Sequence, residues 1–282
     1  MSLCLLATSA FVDSASAQNA TADLLQRASE ALAEKRHDQA IRLASEAIAA
    51  EAKEPAGYAL RARAYIAAGK SAEAINDLSR LLQMNPQQPR LLELRGTEYF
   101  KLQRFKEAIA DFNQECRLEP AREPWHWKRG LAYHYAGQYD KGRDQFQQYH
   151  DREDNDVENA VWRVLCMARI KDVGLKKAQA DILVVRRDPR LPMMEVYALF
   201  AGKAKPEEVL RAIERGQPDE RELNSRTFYG NLYLGLYFDM TGHPKRAVEH
   251  LKIAVKHPIE HFMWDIAKLH LAIMVAAKQN EQ

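Results

Sequence analysis

Apolar residues recur along this chain with a helical period. "VENAVWRVLCMARI" (157–170) and "PEEVLRAIERG" both place them at i, i+3 and i+4, and no window of strict alternation predicts a sheet. A longer period lies over the helical one. Windows beginning at Pro55, Pro89 and Glu123 stand 34 residues apart and align in columns. One column holds Tyr65, Tyr99 and Tyr133; a second holds Ala62, Gly96 and Gly130. A third holds Ala74, Ala108 and Gly142, and a fourth Leu78, Phe112 and Phe146. Helices approach closely only where side chains are small, and bulky residues then fill the space beside each contact. Pro86 and Pro120 close two windows, where a residue without an N–H stops a helix; Asp154 stands at the third such place.

A 34-residue period with these residue types resembles the tetratricopeptide repeat (TPR). The resemblance implies an all-α, helix-turn-helix solenoid, because one repeat cannot bury its own apolar face and must stack on the next. "AAGKSAEA" and "YAGQYDKG" are the expected turns within repeats. Residues 18–54 fit a degenerate first repeat, with Ala28, Ala40 and Ala47 in register, and 55–156 hold three repeats. Residues 157–221 are expected to be helical but off-register. The pattern returns over 222–257 with Gly235, Gly242, Ala247, Leu251 and Ala254. A packing helix is expected over 258–282, with Phe262, Ile266, Leu269 and Ile273 on one seam.

Hydrophobic residues make up 46% of the 282, enough for a packed core. Lys and Arg total 41 against 39 Asp and Glu, a net charge of +2, which gives no support to nucleic-acid binding. The basic cluster from Lys171 through Lys176, Lys177, Arg186 and Arg187 to Arg190 is diluted by Asp172, Asp181 and Asp188, and is expected on a solvated helix face. At the start, the apolar run Leu3–Val12 followed by Ala15-Ser16-Ala17 fits an export signal of residues 1–17, cleaved after Ala17. No Lys or Arg precedes the run, so a cytoplasmic protein is the alternative. Cys116 and Cys166 sit in helical patterns without metal-ligand spacing and are expected as buried thiols, though a disulfide between them stays open.

Candidate chemistry is sparse, and no cofactor is expected. "HPIEH" (His257–His261) spells an inverted zinc-peptidase motif, but Pro258 favours a helix start there and leaves His257 before its cap. A zinc metallopeptidase is therefore the lesser alternative, and no metal site is expected. Gly69-Lys70-Ser71 ends like a phosphate loop, yet Ala64 stands where its first glycine belongs. In TPR proteins, certain offsets on the first helix of each repeat line the concave face. Carried onto this chain, they select Leu60, Arg63 and Ile66, then Leu94, Phe100 and Lys101, then Trp127, Leu131, His134 and Tyr135. These form the expected partner-binding groove, apolar and aromatic with a few basic groups. Trp127 and Tyr135 are the expected hot spots.

The order of parts resembles one family more closely. "RGLAYHYAGQYDKG", "NAVWRVLCMARI", "LYLGLYF" and "LKIAVKHPIEHF" are similar to the NlpI-type TPR lipoproteins of the Gram-negative envelope, over about Arg90 to Met274. The resemblance implies a non-enzymatic adaptor, a homodimer, that holds a periplasmic processing protease or peptidoglycan hydrolase. A lipoprotein needs a cysteine after the apolar run, whereas Cys4 stands at the start of this one. A periplasmic protein without a stable membrane anchor is the expectation.

Overall fold

Fifteen helices and no strand occur among the described residues, and 75% of the chain is helical. The computed structural model describes residues 5–280, with side chains over 19–277. Cys4 lies outside the described residues, and of the rest of the expected leader and its cleavage site only the backbone of 5–17 is described. The chain forms two compact units, Met1–Pro120 and Ala121–Gln282.

The first unit holds α1 (Leu5–Ala33), α2 (His37–Ala50), α3 (Pro55–Ala67), α4 (Ser71–Met84), α5 (Pro89–Lys101) and α6 (Phe105–Leu118). Each helix packs on its chain neighbour, as stacked hairpins must. Pro55 and Pro89 each stand in the first turn of a helix, where the missing N–H costs nothing. The hairpin turns share one geometry. The amide of Lys70 donates to the Tyr65 carbonyl at 2.8 Å, and that of Arg104 to Tyr99 at 2.9 Å. Gly69 before the first takes a left-handed conformation, φ +71°. It is a helix-ending residue, and the phosphate-loop look of Gly69–Ser71 has no other basis.

The columns of small and large residues meet as expected. A Cβ added at Gly96 would lie 2.6 Å from Phe112 Cε1, and one at Gly130 would lie 2.7 Å from Phe146 Cζ. Gly235 meets Leu251 in the same way, with Cγ at 2.6 Å. Phe112, Phe146 and Leu251 are all fully buried.

The second unit begins with a 3-10 turn (Pro120–Trp125) and holds α7 (Trp127–Tyr135), α8 (Tyr139–His150), α9 (Val157–Arg169), α10 (Gly174–Ala180) and α11 (Met193–Phe200). It continues through α12 (Pro206–Ile213), α13 (Glu220–Met240), α14 (Pro244–Ala254) and α15 (Met263–Asn280). Two expectations need correction here. Residues 157–221 are not helical throughout: 182–189 carry no regular secondary structure, and a cis bond joins Leu191 to Pro192. Within that stretch Leu183 and Val185 are buried while Val184 between them is 65% exposed, the period-two pattern of a strand without a partner. The basic cluster divides accordingly. Lys176 and Lys177 lie on α10, Arg186 and Arg187 on the irregular stretch, and Arg190 enters an ion cluster described below.

The last helix begins at Met263, five residues after the expected start, because His257–Phe262 form an irregular loop. Of its expected seam, Ile266 and Leu269 are buried, as are Met263 and His270. Cys116 and Cys166 are both buried, in the first and second unit respectively.

Candidate partner groove and inner pocket

The expected groove residues divide between the two units. In the first, Arg63 and Ile66 from α3 and Leu94 from α5 line a cavity of about 620 Å³ with Leu32, Leu78 and Leu91. Arg90 stands on the same cavity. Helix period places these groups together: 63 and 66 are one turn apart on α3, as are 90, 91 and 94 on α5. Arg63 and Arg90 are exposed, and neither is in an ion pair among the described residues. The floor is aliphatic, so this unit presents an apolar trough with two guanidinium groups at hand.

Three expected groove positions in this unit fall elsewhere. Leu60 packs against the core of Ala28, Ala31 and Leu43. Phe100 is 1% exposed and sets its ring edge-on to Phe105, centroids 5.3 Å apart. It is a core residue, because its side chain points between α5 and α6 and not away from them. Lys101 is tied to the buried Glu98 carboxylate at 2.8 Å, which also accepts from Ser71 Oγ at 2.6 Å.

In the second unit the expected surface is covered by the chain itself. Leu131 is fully buried, and His134 is nearly so, against Cys166 Sγ at 3.5 Å and the Trp162 ring at 5.4 Å. Burial, with His270 and Arg169 nearby, lowers the His134 pKa to about 3, so the imidazole is neutral at ordinary pH. Tyr135 Oη lies 3.1 Å from His270 Nδ1 on α15. Trp127 stacks on His261 at 5.8 Å and meets the edge of Phe262 at 5.7 Å. Through these contacts Trp127 and Tyr135 hold the C-terminal segment against α7.

The same contacts show that "HPIEH" does not take the one-helix geometry of an inverted zinc-peptidase motif. His257 and His261 share no helix; His257 Nδ1 is 3.0 Å from Asn224 Oδ1, and His261 lies against Trp127. Among the described residues, no three His, Cys, Asp or Glu side chains gather as a metal ion would require. No helix there is long and apolar enough to cross a membrane.

Beside Trp127 the second unit encloses a further pocket of about 340 Å³ that sequence reasoning missed. Asp156, Glu158 and Asn159 at the start of α9, with Trp162 one turn on, form one side. Arg190 closes it, bound to Glu158 at 2.8 Å, to Asp188 at 2.6 Å and to Asp156 at 3.5 Å. Tyr233 Oη donates to the other Glu158 oxygen at 2.8 Å. Desolvation raises the pKa of Asp156 and Glu158, with Arg190 opposing it. The three carboxylates are scattered over 156–188, so nothing in their spacing marks them as neighbours.

Tetratricopeptide-repeat family models match residues 31–97 and residues 89–122. Among solved structures, the chain is similar to a tetratricopeptide repeat protein from Parabacteroides merdae. The TM-score is 0.58 at 16% identity, over 91% of this chain and 99% of that one. It is also similar to MamA protein, with a TM-score of 0.51 at 16% identity over 54% of this chain and 83% of that one. No curated protein sequence matches the chain. These likenesses show the fold, a tetratricopeptide solenoid, with the repeats themselves matched over 31–122.

Proposed function

We propose that the chain is a non-enzymatic adaptor that docks a partner segment of mixed apolar and acidic character in the α1–α3–α5 trough. The observation that carries this is the aliphatic cavity of about 620 Å³ with the guanidiniums of Arg63 and Arg90 on it, neither in an ion pair among the described residues. Apolar side chains would fill the floor, and carboxylates would meet the arginines in charge-assisted bonds. Repeat solenoids serve widely as such docking surfaces.

The setting we propose is the periplasm. The support is the Ala15-Ser16-Ala17 site after an apolar run and the likeness of 129–142 and the C-terminal segment to NlpI-type proteins. On that reading the partner is an envelope processing protease or peptidoglycan hydrolase, and the adaptor raises its effective concentration beside its target.

The test is fluorescence anisotropy with two labelled peptides, one alternating Leu and Glu and one alternating Leu and Lys. The acidic peptide should bind and the basic one should not. Arg63→Glu with Arg90→Glu should abolish binding while leaving the helical signal intact. Equal binding of both peptides would defeat the docking proposal. Affinity capture from envelope extract, with the same double variant as control, tests the setting.

A further inference from the structure

We infer that the α7–α9 pocket is a receptor for a basic amino-acid residue, lysine or arginine, whose cationic head enters among Asp156, Glu158 and Asn159. The inference does not rest on the α1–α3–α5 trough, which belongs to the other unit.

Charge is the first observation. Three carboxylates, of Asp156, Glu158 and Asp188, surround the single guanidinium of Arg190 within ion-pair distance. Asp188 and Glu158 are well buried, with side chains 2% and 13% exposed. Asp156 is 26% exposed, and one guanidinium faces all three carboxylates, so a second cation is favoured there. His261 does not supply it: burial, Arg190 and Lys128 all lower its pKa.

The second observation is independent of charge. Asn159 and Trp162 both line the pocket, are 4% and 2% exposed, and each carries a polar atom without a protein partner. Asn159 Nδ2 donates to the Phe146 carbonyl at 2.8 Å, which fixes the amide and leaves Oδ1 as an acceptor awaiting a donor. Trp162 Nε1 is a donor awaiting an acceptor. Buried polar atoms are ordinarily paired, so two orphans on one pocket point to something that enters it.

A basic residue satisfies each feature. Its N–H groups would meet the spare carboxylate oxygens directly, and a small shift of the pocket wall would bring the Asn159 oxygen and the Trp162 indole, both closed to solvent, to its donors and its carbonyl. The methylene stem runs along the aromatic walls of Trp127 and Tyr149, where a cation is further attracted by the ring faces. Trp127 and Tyr149 are half-buried, and His261 stands exposed at the rim with only its ring laid against Trp127, so the mouth opens to solvent. The volume of about 340 Å³ lies within the range of small-ligand pockets.

Calorimetric titration of the full chain tests this, using Nα-acetyl-lysine amide, Nα-acetyl-arginine amide and Nα-acetyl-norleucine amide. The basic ligands should bind and norleucine should not. Asp156→Asn removes one charge but keeps the side-chain cap on the Glu158 amide, and should weaken binding roughly tenfold. Trp162→Phe removes the indole donor alone and should weaken binding severalfold. Free arginine and agmatine, set against a short Lys-containing peptide, distinguish a metabolite from a partner side chain as the source. Norleucine binding as well as lysine, no binding of any cation at millimolar concentration, or binding indifferent to both folded variants would overturn the inference. So would a crystal structure grown with the lysine ligand in which ordered waters alone meet Asn159 and Trp162.

Discussion

Arg95 grips Asp111 across its helical hairpin with two parallel bonds, Nε to Oδ2 at 2.8 Å and Nη2 to Oδ1 at 2.7 Å. The pair recurs one repeat earlier as Arg61 and Asp77, at the same two distances. In each case the remaining Nη1 donates to a serine on the previous hairpin, Ser79 or Ser45, at 3.1 Å. Each guanidinium also lies near the tyrosine one turn on, 5.9 Å from the Tyr65 ring centroid and 5.7 Å from that of Tyr99. The tyrosine column is thus a partner of an arginine ladder as well as a filler of space. One repeat later Arg129 keeps the place, but Gln145 replaces the aspartate at 2.7 Å and Glu123 supplies the charge at 2.8 Å.

Removing one member of this pair strands the other. The Asp111 side chain is 7% exposed and that of Arg95 20%, so Asp111→Ala should cost roughly 2–4 kcal/mol in urea unfolding. The double variant with Arg95→Met should recover part of that loss. A double-mutant cycle with no coupling would show that the ladder contributes nothing.

Gly130→Val places side-chain carbon where three atoms of the Phe146 ring lie within 3.0 Å of even a Cβ. The ring is buried and has little room to retreat, so the variant should lose roughly 1–3 kcal/mol. Phe146→Leu in the same chain should restore some of the loss. An unchanged melting curve would contradict the close approach of α7 and α8.

Gln103 holds φ +59° at the hairpin turn where other repeats use Gly69 and Gly137. A side chain there carries a left-handed penalty that glycine avoids. Gln103→Gly should therefore stabilise the chain by up to about 1 kcal/mol, and Gly69→Ala should destabilise it by about as much. Thermal denaturation of the two variants should move in opposite directions.

His134 ties stability to pH with a definite sign. Its folded pKa, about 3, lies below the ordinary value of 6.5 because the ring is buried beside His270 and Arg169, with Asp239 opposing. The unfolded chain then binds the extra proton first. The stabilisation is complete above about pH 6.5 and is lost as pH falls toward 3. Denaturant midpoints measured from pH 7 to 4 should decline, and His134→Gln should flatten the slope. An NMR titration showing His134 protonated near pH 6.5 in the folded protein would remove the basis for this.

Much of the candidate site was illegible in the sequence for a physical reason. Arg63, Ile66 and Leu94 reached the trough because helix period alone sets their direction. Phe100 came from the same template and went to the core, since which side of a helix meets solvent depends on what packs there. Trp127 and Tyr135 looked like a free aromatic surface until α15 and its preceding loop lay against them. No local pattern announces a contact between residues 135 positions apart, the separation of Tyr135 and His270.

What the chain determined by itself was everything repeated. Small residues at 62, 96 and 130 face bulky ones at 78, 112 and 146 because a fixed separation of 16 positions across a short turn leaves one way to pack. Tertiary structure alone decided what is not repeated: the irregular run before Leu191, the gathering of Asp156, Glu158 and Asp188 around Arg190, and the orphaned atoms of Asn159 and Trp162. Those groups come from separate elements, and their charges and unpaired atoms acquire meaning only once packing has excluded water from them.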